Sequence, residues 1–460
     1  MISLSATLKK TLRTSTPLVT SRLVSALSGF LSMILIAMLG RTALAAGALI
    51  SSSQITINAT AWSILFALSA IVSRAFGEGK RKELGHILRQ GWLLSCLISI
   101  LMMILFWSMG AILTAFHQDP HLVQIVAPYF RILVWGCPAG ILYICTIQFM
   151  AGVSRAKYIV HFSLITILLS LAPGYGLLFG KFGLPNLGII GMAYASVLAM
   201  WTGLTLSIFH LIIDDYYKPF DIFNFKVKQD FSYLHKIFSV GFPIAVQFAS
   251  ELSAFSFSII MIGWLGETPL AAQQIIIQLS CLVIMVPSGI GQASGILIGQ
   301  ALGQKNFSEI RLFGKAGLYA GLIFITGVAV VYWGFPRLLI RLFSLNPDNA
   351  ATAQIVHTTV ILLAIDVFVQ CFDAIRNITT GALRGFHDTK MPMINGIIAS
   401  WGIAIPLGYI LCFPLHIGII GIRIATAIAW LFGSITLLHR FHNKSRLAPS
   451  LIQHNRHAVR

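Results

Sequence analysis

Residues 241–274 read GFPIAVQFASELSAFSFSIIMIGWLGETPLAAQQ, an apolar segment followed at once by the start of another. About 20 apolar residues are needed for a helix to cross the hydrocarbon core of a bilayer. The segment is long enough to do so, and it carries one carboxylate, Glu251, near its middle. A charge at that depth costs roughly 2.5–3.5 kcal/mol on insertion scales, so such a residue usually faces a bundle interior or a watery cavity. Glu251 is therefore the first candidate functional residue.

The pattern of this segment occurs earlier in the chain, which indicates an internal repeat. At offset 226 the matches are Pro17 with Pro243, Leu39-Gly40 with Leu265-Gly266, Leu44-Ala45-Ala46 with Leu270-Ala271-Ala272, Ala75 and Gly77 with Ala301 and Gly303, and Glu83 with Glu309. Further matches join 152–155 to 381–384 at offset 229 and 188–191 to 418–421 at offset 230. Parallel repeats of this kind occur in transporters, although a channel or a scaffold is also compatible with them.

The composition predicts an integral membrane protein. The 460 residues are 57% hydrophobic and 10% charged, with a mean hydropathy of +0.85, which is more apolar surface than a soluble core could bury. The net charge of +18 does not indicate a nucleic-acid partner, because the basic residues crowd into alternate loops between apolar spans. The expected environment is the lipid bilayer.

We predict an all-α fold of twelve membrane-spanning helices in two pseudo-symmetric six-helix bundles. The predicted spans are 17–39, 43–72, 91–115, 124–149, 158–180, 187–212, 241–265, 269–298, 314–335, 354–383, 391–415 and 417–438. The first bundle is expected in 1–212, a charged cytoplasmic linker in 213–240, the second bundle in 241–438 and a basic cytoplasmic tail in 439–460.

The distribution of Lys and Arg predicts the orientation. With the N-terminus inside, 23 of the 32 basic residues fall on the inner side and four, Arg41, Lys181, Arg337 and Arg341, in outer loops. Cytoplasmic loops carry the excess of Lys and Arg. We therefore expect both termini in the cytoplasm. The protein is also expected to be a monomer in the cell inner membrane.

Polar side chains form stripes on three spans of the second half. Asp366, Gln370, Asp373 and Asn377 are spaced by 4, 3 and 4 residues, which places them on one face of a helix. Gln247 precedes Glu251 by four residues on the seventh span, and the eighth span adds Gln274 and Gln278. The pattern predicts a cation site centred on Glu251 and Asp373, with support from Gln247, Gln278, Gln370 and Asn377. Oxygen ligands suit sodium, and buried acids suit a proton.

Each acid also has a structural interpretation. Arg376 lies one turn from Asp373, so a buried ion pair that holds helices together is an alternative for both acids. Asp366 is nearer a helix end, where it could be solvated, cap the helix or line a substrate cavity. Arg22 and Arg423 are close enough to span ends to extend to the interface.

The polar residues of the first half are uncharged. Ser32 belongs to a serine stripe on the first span, and Gln54 and Asn58 lie on the second. With Asp366, they are the candidate substrate-cavity residues, suited to amphipathic organic molecules. The alternative is a close-packing surface between helices.

The sequence does not indicate an enzyme. It has no HExxH, no nucleophile elbow and no phosphate-binding glycine loop. No cofactor is expected, and energy for transport would come from an ion gradient.

The duplicated pattern, the segment GQALG at 299–303 and above all GALRGFHDTKMPM at 381–393 resemble the multidrug and toxic compound extrusion (MATE) family, in its bacterial NorM-like branch. The resemblance covers about residues 10–440. It implies a V-shaped transporter of two six-helix bundles that exchanges external sodium or protons for cytoplasmic organic cations. It also implies that Glu251 and Asp373 form the family's cation site.

Two positions depart from the family pattern. Many bacterial members have an aspartate in the first helix where this chain has Ser32, and sodium-coupled relatives often have a tyrosine where it has Val369. These departures speak against coupling through the first bundle and weaken the case for sodium.

The predicted function is a cation-coupled antiporter that exports amphipathic, cationic organic compounds. The alternatives are a flippase for a lipid-linked precursor and a membrane scaffold. A flippase needs several cationic residues around a pyrophosphate, and the first two spans supply only Arg22. A scaffold would leave the buried acids dispensable.

Overall fold

The computed structural model describes residues 4–224, 231–341, 343 and 350–457, and twelve of its helices are long and apolar enough to cross a membrane. They are α1 (Leu4–Ala37), α2 (Arg41–Gly77), α3 (Arg81–Trp107), α4 (Pro120–Gly152), α5 (Lys157–Phe179), α6 (Ile189–Ile213), α7 (Ser232–Gly263), α8 (Glu267–Gly303), α9 (Phe307–Gly334), α10 (Ala350–Gly385), α11 (Lys390–Cys412) and α12 (Ile419–His457). This confirms the all-α fold and its twelve spans. Lys226, Lys228 and Arg460, which contribute to the predicted charge bias, lie outside the described residues.

Several helices extend beyond the predicted spans. Helix α1 begins at Leu4, α7 begins at Ser232, and α12 continues to His457. The hydropathy signal ends where polar residues begin, but the helix continues because these residues still have buried faces. Ile237, for example, lies in the predicted linker and is fully buried. The predicted linker at 213–240 is therefore helical from Ser232, and the predicted tail begins as part of α12.

The internal repeat is visible in the backbone. Helices α2 and α8 each have 37 residues, and both of their ends correspond at the offset of the sequence repeat. The residue before α2 is Gly40, with φ 105° and ψ −178°, and the residue before α8 is Gly266, with φ 104° and ψ −175°. Only glycine adopts this backbone conformation readily. The two halves thus share backbone geometry at residues that the sequence repeat had matched.

The chain forms two compact units, Thr20–Ala245 and Met1–Val19 with Val246–Arg460. The chain passes from one unit to the other within α1 and again within α7, at positions that correspond in the repeat. In the second unit, the ammonium of Lys10 lies 5.1 Å from the ring centroid of Phe313 on α9. The start of α1 thus packs with the C-terminal helices.

The segment after α6 docks on the unit Thr20–Ala245. A short helical turn, Asp215–Phe220, buries the rings of Tyr217 and Phe220. Arg89 on α3 donates hydrogen bonds to the carbonyl of Asp221 at 2.7 Å and to that of Ile222 at 3.0 Å. Burial raises the pKa of the Tyr217 phenol far above its ordinary value, so the ring stays neutral.

Glycines bring α8 and α10 into close contact. Gly291 and Gly295 on α8 face Gly381 and Gly385 on α10, and a Cβ on Gly381 would lie 2.7 Å from the Cα of Gly291. Small residues allow the backbones of membrane helices to approach closely. In lipid, where the hydrophobic effect does not drive helices together, this close van der Waals packing stabilises the contact. This contact fixes α10, which carries Asp366 and Asp373.

We predict that Gly381→Ala lowers the unfolding temperature of the protein in detergent. The new methyl group would overlap the backbone of α8 at Gly291, and backbone atoms cannot move aside as a flexible side chain can. Overpacking of this kind costs about 1–3 kcal/mol. The matched control is Gly327→Ala on α9, where an added Cβ has no atom within 4 Å. Equal unfolding temperatures for the two variants would contradict the close contact.

Candidate functional site

Two carboxylates from different helices share one guanidinium in the unit that contains α8–α12. Arg376 on α10 donates from Nη1 to Oε1 of Glu251 on α7 at 2.5 Å, and from Nη2 to Oε2 at 3.3 Å. The same Nη2 donates to Oδ1 of Asp373 at 2.8 Å, and Nε donates to that oxygen at 3.1 Å. We call these three residues the carboxylate–guanidinium site. It is the ion pair that the sequence offered as the alternative to a free acid pair.

Two amides extend the site. Gln247 Nε2 donates to Glu251 Oε1 at 3.0 Å, from one turn earlier on α7. Asn377 Nδ2 donates to Asp373 Oδ2 at 2.9 Å, from one turn later on α10. Each carboxylate therefore accepts hydrogen bonds from Arg376 and from one amide.

Helices α11 and α12 supply the walls. The guanidinium of Arg376 lies 4.1 Å from the ring centroid of Trp430 on α12, a cation–π contact. A Cβ on Gly396 of α11 would lie 2.7 Å from Oε1 of Glu251. Gly396 therefore leaves room for the carboxylate. Further along α11, Trp401 Nε1 donates to the carbonyl of Ser250 at 3.1 Å, which ties α11 to α7 beside the site.

The three charged side chains differ in exposure. The side chains of Arg376 and Asp373 are 4% and 9% exposed, whereas that of Glu251 is 22% exposed. Two carboxylates and one guanidinium carry a net charge of −1 when all are ionised. The site can therefore accept one positive charge, and Glu251 is its most accessible oxygen donor.

The other predicted supporting residues lie elsewhere. Gln370 is buried and donates to Asp366 rather than to Asp373, at 3.2 Å. Gln278 is exposed and makes none of the described contacts to the two acids. The stripe on α10 is thus divided between two acidic centres.

Asp366 is fully buried and lies in the interior of α10 rather than at its end, so the interpretation of this residue as solvated or as a helix cap is wrong. Its partner is Arg423 on α12, at 3.2 Å. Arg423 is only 9% exposed, so the prediction that it extends to the interface is also wrong. The physical reason is that a buried acid on α10 offers the guanidinium a better partner than the interface does.

The uncharged cavity candidates belong to the unit Thr20–Ala245. Ser32 lies on α1, and Gln54 and Asn58 lie on α2, all three half-buried. Gln54 and Ser196 lie close to the Tyr129 hydroxyl. Asp366, the fourth candidate, lies in the core of the other unit rather than on an open wall.

Sequence reasoning missed the wall of the site. Trp430 is one of nine tryptophans in an apolar chain, and Gly396 is one of 39 glycines, so neither has a local signal. Arg376 did have one, because it lies three residues after Asp373. Its bond to Glu251 had none, because the two residues are 125 positions apart.

Comparison with known proteins finds similarity over nearly the whole chain. The MatE family model matches residues 17–175 and 243–410, two segments whose first residues correspond in the repeat. The chain is 26% identical to a probable multidrug resistance protein NorM of Synechocystis, over 94% of this chain and 93% of that protein. It is 29% identical to a probable multidrug resistance protein NorM of Neisseria meningitidis, over 89% and 88%.

A solved structure has the same fold. It is an outward-facing conformation of a multidrug resistance MATE family transporter of the MOP superfamily, with a TM-score of 0.88 and 18% identity over 96% of this chain and 97% of that one.

We predict that Arg376→Gln strongly destabilises the protein, because it leaves the buried carboxylate of Asp373 and the half-buried carboxylate of Glu251 without their shared cation. Breaking a buried pair in this way costs about 3–5 kcal/mol. The unfolding temperature in detergent should recover in part when Glu251→Gln is added, since one of the two orphaned charges is then removed. Arg337→Gln, at an exposed arginine, is the control. A double variant less stable than Arg376→Gln would contradict the shared ion pair.

Proposed function

The chain belongs to the MatE family, the multidrug and toxic compound extrusion transporters, and we propose that it is an antiporter that exports amphipathic organic cations in exchange for protons. This is a family of transporters and not of enzymes. The proposal rests on one observation, the guanidinium of Arg376 shared between Glu251 and Asp373.

The shared guanidinium favours a proton over sodium as the coupling ion. Sodium needs a shell of several oxygen ligands, and both oxygens of Glu251 and Oδ1 of Asp373 already accept hydrogen bonds from Arg376. A sodium ion would have to enter beside a fixed positive charge. A proton needs no shell, because it binds to one carboxylate oxygen. Val369, where sodium-coupled relatives often have a tyrosine, agrees with this choice.

Protonation of Glu251 is the proposed switch. Glu251 is the most exposed member of the site, so it is the carboxylate that a proton reaches first. Once neutral, it no longer attracts Arg376, whose remaining ionic partner is Asp373 on its own helix. The ionic link between α7 and α10 is then lost. Loss of this link changes the free-energy difference between the inward-open and outward-open states. A ligand shifts a conformational equilibrium only by interacting differently with the two states.

The proton gradient supplies the driving force for export. A tenfold proton gradient supplies about 1.4 kcal/mol per proton, and a membrane potential of 100 mV adds about 2.3 kcal/mol for each net charge moved. The amphipathic cation would occupy a neutral surface that includes Ser32, Gln54 and Asn58. The positive-inside bias supports cytoplasmic termini. The proposal also takes the transporter to be a monomer in the inner membrane.

We predict that proteoliposomes containing the purified protein move ethidium when a pH gradient is imposed and the membrane potential is clamped. In Glu251→Gln and in Asp373→Asn, ethidium movement should fall by about tenfold or more, the factor that corresponds to a loss of about 1.4 kcal/mol. The matched control is Glu267→Gln, the same chemical change at an exposed acid at the start of α8.

A sodium gradient alone, at equal pH on both sides, is the second arm of the experiment. It should drive no ethidium movement. Sodium-driven movement would refute proton coupling. Full activity in Glu251→Gln would refute the switch, and no ethidium movement under either gradient would move the assignment to a flippase for a lipid-linked precursor.

A further inference from the structure

A second buried charge pair joins α10 to α12, and its acid lies seven residues before Asp373. Asp366 is fully buried, and its Oδ1 is 3.2 Å from Nη1 of Arg423 on α12. Its other oxygen, Oδ2, accepts hydrogen bonds from Ser280 Oγ on α8 at 3.0 Å and from Gln370 Nε2 at 3.2 Å. Three helices therefore meet at one carboxylate, which has no part in the mechanism proposed above.

The polar groups of this cluster are incompletely satisfied. Arg423 approaches Asp366 without the alignment of a hydrogen bond, so Oδ1 of Asp366 and Nε of Arg423 have no hydrogen-bond partner among the described residues. The buried hydroxyl of Tyr332 on α9 also has no hydrogen-bond partner among the described residues. It is close enough to Asp366 and Arg423 to interact with both charges. A cluster whose only role is to hold helices together is expected to be fully bonded, because a partly satisfied polar network is less stable than an apolar core.

The position of the pair links it to the carboxylate–guanidinium site. Asp366 and Asp373 are separated by two helical turns, so they lie on the same face of α10, about 10 Å apart along its axis. Gln370 lies between them and is bonded to Asp366. At this distance inside a protein, two charges still influence each other appreciably.

We propose that the Asp366–Arg423 pair sets the proton affinity of the carboxylate–guanidinium site, an inference that rests on the proposed proton coupling. A buried ion pair is a weak source of stability, and apolar side chains of similar volume often serve as well or better. A charged residue within a membrane is costly, so its presence there makes it a functional candidate. The function of the Asp366–Arg423 pair is its electrostatic effect on Asp373 and Glu251.

The sign of the effect differs for the two partners. Removal of the negative charge at Asp366 leaves Arg423 uncompensated, so a proton binds the carboxylate–guanidinium site less readily and the pH of half-occupancy falls. Removal of the positive charge at Arg423 does the opposite, and the pH of half-occupancy rises. The ionisable groups that face Asp366 are Arg423 from α12 and Tyr332 from α9, and the group that faces Asp373 and Glu251 is Arg376.

The experiment measures ethidium affinity of the purified full-length protein in nanodiscs as a function of pH. In an antiporter, protons compete with the organic cation, so affinity falls as pH is lowered and the curve has a midpoint. We expect Asp366→Asn to move the midpoint down by about one pH unit, as Coulomb's law gives for about 10 Å and an effective dielectric constant of about 20. Arg423→Gln should move the midpoint up. The control is Glu267→Gln, which removes the charge of an exposed acid at the start of α8 and should leave the midpoint in place.

A variant with the charges exchanged covers the case in which single variants fail to fold. Asp366→Arg with Arg423→Asp keeps a buried pair but places the positive charge on α10, nearer Asp373, so the midpoint should again move down. Midpoints that stay at the wild-type value in both single variants, or in the exchanged variant, would overturn the tuning role. A wild-type protein whose ethidium binding has no pH midpoint would overturn proton coupling instead, so the two failures are distinguishable.

Discussion

Inside a bilayer, backbone amide and carbonyl groups have no water to bind, so each must be paired within the protein. Helices satisfy this requirement locally, which leaves side chains to decide how the helices pack. In the C-terminal helices, glycine meets glycine between α8 and α10. The same closeness that makes this contact stable also removes water from the neighbouring charges. Arg376 and Arg423 are therefore held by carboxylates because the surroundings offer few other partners.

The duplication conserves backbone geometry but not the buried charges of the two centres described above. Helices α2 and α8 have the same length and begin after glycines of the same conformation. At the offsets of the repeat, however, Glu251 corresponds to Ser25, Asp373 to Ile144 and Arg376 to Ile147. The Asp366–Arg423 pair corresponds to Cys137 and Ala193. Both charged centres thus belong to one half, and a proton-coupled mechanism in this chain depends on the C-terminal helices.

The structure changes the meaning of the acidic stripe on α10. A stripe of carboxylates and amides suggests an open cation site, and each acid of this stripe instead has an arginine. The site is a pair of acids that share one guanidinium, and a cation that binds there must displace it or neutralise an acid. This difference makes protonation the simplest form of coupling, because a proton neutralises Glu251 without entering the space that Arg376 occupies.

The sequence by itself determined the membrane environment, the number of spans, the repeat and the two central acids, because hydropathy, residue spacing and internal matches are properties of neighbouring or regularly spaced residues. It also offered Arg376 as a partner for Asp373, three residues away. Only the tertiary structure decided that Arg376 also binds Glu251, that Arg423 pairs with Asp366, and that Gly396 and Trp430 complete the wall. These contacts join residues on different helices. Hydropathy fixes where each helix crosses the membrane, but its rotation and its neighbours are set by packing between helices, which spacing along the chain does not encode.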